Sequence, residues 1–540
     1  MSIRSELSLV YASDFSFEND LNRLVIAKSK DLKSTLKKLR DDFGFIMLLD
    51  IVGIDNSSKS VGEGELDKRF QLNYILLNME EHFRLQVIID LNIDRNEILP
   101  TASSLWTNAL WCEREVWEMF GISFGSKSEQ RLLTPKNLIG FPLRKDFELA
   151  IDNNYEFEQE VFPKNLGLPK FKENLLDEVS IGPIHPGIKG AMRFNFEVEG
   201  DFILRSKMDI GFLHRGIEKS CEEMYYSQVS SMTDKLNFFS SSANSIGWCK
   251  AVETLAGLSI PDKAKAFRMV ICELARVSDH ARCIASMIKA AGIFEGVQIS
   301  LHIVNKVGKL FKDLNGSASG NHLSRIGGLN FSQPVGWINE CLDQLKEIHS
   351  LSNDLSFHLN RANFWKNRLQ TAPLNAYEAI DLGVTGPNLR ACGVNYDIRK
   401  VSPYYFYEDV DFDVPLGING DSYDRFLVRV EEIRQSLKII SQVLDSLPAG
   451  KTLVDDQGVD LGLLSFSPES ASIYSMSEAV NGELGFYIES DSSTRPYRVK
   501  IKSPSYFSAQ AFSRMLPGTR MDDCMISLSS MNIVAGEMDR

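Results

Sequence analysis

No run of apolar residues in this sequence approaches the roughly 18 that a helix needs to span a bilayer, so a membrane-embedded chain is not expected. The N-terminal MSIRSELSLVYASDF lacks the uninterrupted apolar core of a signal peptide. Paired thiols are also missing. Eight cysteines stand at Cys112, Cys221, Cys249, Cys272, Cys283, Cys341, Cys392 and Cys524, and none forms a C-x-x-C pair. Zinc and iron–sulfur sites usually draw paired thiolates from short turns, so neither is expected within this chain. Dispersed thiols of this kind are small buried hydrophobes. No G-x-x-x-x-G-K-[ST] occurs, nor a strand–G-x-G-x-x-G–helix unit, and nucleotide binding has no support. A basic stripe is absent too. With a formal net charge of -13 and a pI near 5.3, nucleic acid is not an expected partner. Together these absences point to a soluble, cytoplasmic chain able to dock on a membrane partner.

What is present is ample core material. A chain of 540 residues with 44% hydrophobic content can build two or three globular domains. In residues 1–150, leucines 32, 36 and 39 recur at helical spacing within the charged stretch 31–42. Residues 45–52 read as a buried strand. Phe70, Leu72, Tyr74 and Leu76 alternate with other residues, as do Phe83, Leu85, Val87 and Ile89 after a Glu80-Glu81 turn, which predicts a hairpin. A helix with antiparallel strands implies a small α+β domain. WCEREVWEMFGISF (111–124) reads as an amphipathic helix whose Glu113, Arg114, Glu115 and Glu118, taken alone, are ordinary solvated charges. Residues 140–149, GFPLRKDFEL, read as an extended arm. Residues 151–178, rich in Asn, Glu, Lys and Pro, read as an extended linker.

The second part, residues 179–540, is organised around GPIHPGIKGAMRFNFEVEGDFILRSKMDIGFLHRGIEKSCEE (182–223). Phe194, Phe196 and Val198 alternate as a half-buried strand. Glu199-Gly200-Asp201 supplies a turn, and residues 202–205 return. HRGIEK then opens a long helical segment. His185, Lys189, His214, Arg215, Glu218 and Lys219 are candidates to gather at one hairpin end around a polar cavity; as plain solvated charges they would carry no function. Residues 261–291 read as a long helix with Pro261 near its start. Its Glu273, Arg276 and His280 share one side at spacings of three and four. Apolar residues fill most of its circumference, so it belongs inside a bundle, where a paired structural stripe is the plainer reading of the charges. Asp421 can cap another helix carrying Phe426, Val430, Ile433, Leu437, Ile440 and Val443, and residues 334–363 also have helical spacing. From residue 482 the chain turns to short alternating stretches about a turn at 490–493, and its closing Asp539-Arg540 is a candidate buried ion pair.

Two of these strings, EREVWEMFGISF and GFPLRKDF, resemble the 30-kDa-type (C-type) component of proton-pumping NADH–quinone oxidoreductase, respiratory complex I. Glu118 stands where that family usually has Asp, and GSKSEQRLL lacks its usual His-Pro. Further on, GPIHPGIKGAMR, GFLHRGIEK, RIGGL, LRACGVNYDIRK, DVPLG, GELGFYIESD, PYRVKIKSPSY and GEMDR resemble, in order, the 49-kDa-type (D-type) component. The resemblance implies a fused C/D chain: an α+β protein whose small N-terminal domain is joined to a mainly helical domain resembling the nickel–iron hydrogenase large subunit, with a small antiparallel sheet. A nickel–iron centre is excluded on chemistry, since both thiolate pairs that would hold it are missing.

The resemblance further implies no cofactor in this chain. Quinone would be a cavity ligand, and the terminal iron–sulfur cluster would sit on a neighbouring B-type subunit. An I-type iron–sulfur subunit and the membrane H-type subunit are further implied partners. The chain would lie at the cytoplasmic face of the inner (plasma) membrane. The family's quinone-contacting His, Tyr and supporting Asp fall on Lys189, Phe238 and Ala290, and the His near the cluster falls on Gly320, with His322 close by. His185, Lys189, Phe238 and Ala290 are therefore the expected cavity residues. His214, Arg215, Glu218, Arg276 and His322 are expected to face the cluster or an interface. Phe238 cannot donate a proton. Lys189 becomes the candidate donor, since a lysine in an apolar cleft can have its pKa lowered. Either the chain serves a quinone-reducing complex through Lys189, or its assembly uses another acceptor or serves as an adaptor. The segment 455–472, short and rich in Ser, Gly and Asp, lacks the family's His-Phe-Lys run.

Overall fold

The computed structural model describes residues 3–11, 14–18, 21–58, 69–91, 98–125, 129–147, 177–361, 371–454 and 465–540. The predicted linker falls outside them up to residue 176, and its last two residues already belong to the strand Asp177–Ile181. Most of the segment expected to lack the His-Phe-Lys run also lies outside them, as does the far end of the arm.

The N-terminal part is a five-stranded sheet in the order Phe15–Glu18, Leu21–Ile26, Phe83–Leu91, Phe70–Asn78, Met47–Asp55. The hairpin forms as expected, with Leu72 opposite Ile89 and Tyr74 opposite Val87. The helix Leu32–Asp41 buries Leu32, Leu36 and Leu39. Leu21–Ile26 joins the hairpin in parallel. Every residue of Met47–Asp55 is buried, so this strand is covered on both faces. The helix Ala109–Phe120 packs on it closely enough that a Cβ on Gly53 would come within 2.7 Å of the Phe120 ring.

The second part combines two three-stranded antiparallel sheets with helices. Asp177–Ile181, Arg193–Glu199 and Phe202–Asp209 form one sheet, and Ala471–Ala479, Gly482–Ser490 and Arg498–Lys502 the other. The helix Asp262–Ala290 starts directly after Pro261. It is buried over most of its length against Phe294–Asn315, Ser422–Asp445 and Cys524–Met531. Asp421 caps Ser422–Asp445 through Oδ1, which accepts from the backbone of Tyr423 and Asp424 at 3.0 and 2.9 Å. One expectation is corrected. HRGIEK does not open a long helix, because Ile217–Glu223 lasts seven residues before Met224 turns extended.

The solvated reading of the helix Ala109–Phe120 is also overturned, because its three carboxylates are all buried. Glu113 accepts from Thr101 and Ala102 at 2.6 Å each. Burial nevertheless pushes its pKa up to about 7. Glu118 takes the backbone N–H groups of Leu132, Leu133 and Thr134, so the loop that departs from the family pattern is held by the residue that departs with it. Glu115 receives Arg540 through two hydrogen bonds of 2.7 and 2.8 Å and also binds Lys500. Arg540 reaches Glu218 at 3.1 Å, and Glu218 binds Arg498 at 2.9 Å. Burial alone would raise Glu218, but Lys500, Arg498 and Arg540 hold its carboxylate well below the usual range. The predicted arm is pinned across the same seam, with Lys145 donating to Glu222 at 2.8 Å and to the Tyr497 carbonyl at 2.5 Å.

Candidate functional site

The turn carrying Lys189 sits against the last residues of the chain. Gly182 closes the turn against the Met192 carbonyl, and Gly190 makes the approach to the chain end feasible. Both have positive φ, at +98° and +109°, and a Cβ on Gly190 would lie 2.6 Å from that of Ala535. The Lys189 carbonyl accepts the Ala535 N–H at 2.9 Å. Its ammonium donates to the side-chain oxygen of Asn532, which caps the helix Cys524–Met531 in the left-handed conformation that Asn tolerates.

Behind Asn532 lies a buried polar network. Its amide donates to Asp279 at 3.2 Å and to the Asn481 side chain at 2.6 Å. Asp279 is fully buried on the long helix. The Asn237 amide lies 3.4 Å from both Asp279 and Glu537, and Ser505 donates to Glu537 at 3.0 Å. Burial pushes Glu537 up to about 7, the neighbouring Asp279 adding in the same direction. A buried carboxyl of this kind spends part of its time protonated near neutral pH. The chain thus presents an ammonium at an open edge, backed by one carboxylate through an amide and a second carboxyl that readily holds a proton. That arrangement can present a hydrogen-bond donor, and a proton, to a ligand arriving from outside.

Neighbours of the Lys189 ammonium in this chain come from the C-terminal segment and from the loop before Ser240. They comprise an amide and an aromatic ring, Phe239, whose centroid lies 5.5 Å from the ammonium. Phe238 is 58% exposed at the rim. Ala290 packs among apolar residues near the end of the long helix. The structure brings Lys189, His214 and Arg215 each into contact with the C-terminal segment, at Asn532, Asp539 and Gly536. The His214 Nδ1–H donates to the Asp539 carbonyl at 2.7 Å, and Arg215 donates to the carbonyls of Lys235 and Gly536 at 3.2 and 3.3 Å. His185 is half-buried beside them and accepts from Gly187 within its own turn.

Glu218 and Lys219 turn the other way, Glu218 into the seam with Arg540 and Lys219 onto the Arg144 carbonyl at 3.0 Å. Arg276 is buried on the carbonyls of Glu478 and Ala479. The Glu273–Arg276–His280 stripe is paired internally: Glu273 with Arg399 at 3.1 Å, and His280 with Glu432 at 2.7 Å. Burial alone would raise Glu273, yet Arg276 and Arg399 draw it down to about 2. His322 faces Asp234 at 3.1 Å on an exposed loop, and Gly320 keeps a positive φ of 71° against the Phe311 ring. Sequence reasoning missed Asn532, Asp279, Asn481, Asn237 and Glu537. The one available signal was a second acidic residue, Asp279, beside His280 in a helix otherwise apolar enough to be buried.

The fold and site define a class first. One part matches the family model described as respiratory-chain NADH dehydrogenase, 30 Kd subunit, over residues 25–153; another matches its 49 Kd subunit over residues 292–540. Over 554 aligned residues the chain is 37% identical to the C/D-type NADH-quinone oxidoreductase subunit of Bdellovibrio bacteriovorus, covering 98% of this chain and 97% of that one. Identity to the C/D-type subunit of Photorhabdus laumondii is 32%, over 94% and 90% of the two chains. The D-type subunit of Myxococcus xanthus is 35% identical over 67% of this chain and 92% of its own length. The chain belongs to the complex I family of C/D-type NADH-quinone oxidoreductase subunits. Among the described residues no helix is long and apolar enough to cross a membrane, and no cluster of His, Cys, Asp or Glu is arranged to hold a metal ion.

Proposed function

We propose that this chain forms one wall of a quinone cavity in a proton-pumping NADH–quinone oxidoreductase, facing a B-type subunit that carries the terminal iron–sulfur cluster. An I-type iron–sulfur subunit and the membrane H-type subunit complete its surroundings, and the chain is peripheral at the cytoplasmic face of the membrane. The observation that carries this reading is the placement of Lys189: an ammonium on a surface turn, held from behind by Asn532 and Asp279. Quinone reduction consumes two electrons and two protons. The electrons come from NADH through the neighbour's cluster. Lys189 delivers one proton to a quinone oxygen and regains it from water at the open edge, which also supplies the second.

A second reading draws on Phe238 and Ala290, which supply neither a phenol nor a carboxylate at the family's positions. In that reading the assembly uses another acceptor, or the chain is an adaptor. Lys189→Met in the intact assembly separates the two. Under the first, inhibitor-sensitive NADH–quinone activity is lost while upstream NADH oxidation by an artificial acceptor persists. Unchanged quinone turnover, or none in the unmodified assembly, would sink the first reading.

A further inference from the structure

Fully buried arginines of this molecule are each anchored by acceptors, whereas one half-buried arginine on the long helix is not. Arg268, Arg276, Arg390, Arg399, Arg425 and Arg429 are fully buried, and each donates at least two hydrogen bonds to carbonyls or side-chain oxygens. Arg282, on the same long helix as Asp279, differs. Among the described residues no hydrogen bond or ion pair ends on its guanidinium, and its Nε is buried without a partner. Its nearest opposite charge is Asp279, one turn earlier, whose carboxylate is already engaged by Asn532 and Asn237. Arg282 is half-buried, with its Nε closed off from water and unmet; such a buried donor is costly, so the fold leaves Arg282 ready for an acceptor that this chain does not supply.

Position identifies that acceptor. The Arg282 guanidinium carbon lies 5.7 Å from the centroid of the Phe239 ring, and the Lys189 ammonium lies 5.5 Å from the same centroid. Both cations therefore approach one ring beside the exposed Phe238, with Asp279 linked to Lys189 through Asn532 and acting on Arg282 one turn on, and with Glu537 readily protonated. The local excess is positive. A fixed carboxylate from a neighbouring protein would cancel that excess, whereas a neutral ring whose oxygens gain negative charge on reduction would use it. We propose that Arg282 is a second donor to the acceptor of the cavity, acting with Lys189 on the two oxygens of a 1,4-dicarbonyl ring. This rests on the cavity reading given above.

The test uses the intact assembly with a short-chain 1,4-benzoquinone, comparing Arg282→Gln, Arg282→Lys and Lys189→Met. Loss of a charge-assisted hydrogen bond to the acceptor is expected to raise KM about tenfold in Arg282→Gln with kcat held within about twofold. Upstream NADH oxidation by an artificial acceptor should be unaltered. Arg282→Lys, which keeps the charge, should recover most of the lost affinity. An unchanged KM in Arg282→Gln, with quinone activity lost in Lys189→Met, overturns the Arg282 assignment and leaves the cavity reading standing. Dissociation of the cluster-bearing neighbour from Arg282→Gln and Arg282→Lys alike would assign the guanidinium to an interface carboxylate, overturning the assignment too. Wild-type quinone kinetics in all three variants would remove both readings.

Discussion

At the seam around Arg540 and at the edge around Lys189 the molecule gathers charge in quite different ways. Arg540 is buried, with two Glu115 oxygens and one Glu218 oxygen on its guanidinium, while Glu218 is further held by Arg498. Lys189 is half-buried with one side-chain acceptor, Asn532, and the nearby Arg282 has none among the described residues. A closed set of partners fixes geometry, because any motion would expose an unpaired charge. An open set leaves donors free for a ligand. The seam joins elements from both parts of the fold and lies next to the turn that carries the open set, so the satisfied region serves as the frame for the unsatisfied one.

Breaking the frame should have the largest effect. Arg540→Ala leaves Glu115 buried without its bidentate partner, and a loss of about 3–5 kcal/mol is expected, read as a lowered midpoint in chemical unfolding. An unfolding midpoint equal to that of the unmodified chain would show that the seam contributes packing only. Next comes a pH effect in the network behind Lys189. Glu537 has its folded pKa raised to about 7 against an ordinary 4.5. The folded state therefore holds this proton more tightly than the unfolded state does. Its favourable contribution is complete below the ordinary carboxylate value and is lost as pH rises through about 7. Glu113, Asp50 and Asp539, also raised by burial, act in the same direction. Glu537→Gln should flatten the decline in stability as pH rises from the ordinary value of 4.5 to about 7, measured by thermal unfolding across that range. A slope identical to wild type would mean that Glu537 stays ionised.

The smallest effect sharpens the contrast from the open side. Phe238→Tyr adds a phenol at an exposed ring and should change stability by no more than about 0.5 kcal/mol. In the intact assembly it should raise quinone kcat/KM severalfold, because a phenolic hydroxyl then joins the ammonium and guanidinium as a donor to the proposed cavity. Destabilisation beyond that bound would mean the Phe238 edge is packed rather than open.

Local pattern carried a good part of this fold. The hairpin of residues 70–91 follows from alternation on both sides of a polar turn, the long helix from Pro261 and its apolar circumference, and the cap at Asp421 from a side chain able to accept backbone N–H groups. Burial of the helix Ala109–Phe120 was not legible. Its charges look solvated until Arg540, Lys500 and the loop at 132–134 arrive to meet them. The same limit hid the network behind Lys189. Asp279 and Asn532 are 253 residues apart, and no local spacing relates them. The corrected helix after HRGIEK is a third case: helical spacing was present, but an extended Met224 redirects the chain after two turns.

Motif order along the chain was enough to place this protein in the C/D-type family, and composition was enough to set aside paired-thiol metal sites, since residue identities and short spacings survive without coordinates. Which charges close on one another and which stay open was decided only by folding. Pairing depends on distances between elements remote in sequence, and the energy of a charge depends on whether water or a partner surrounds it. All of Lys189, Arg282, Arg276 and Arg540 are cations in the sequence, and the tertiary structure buries the last two among acceptors while leaving the first two half-buried and short of them.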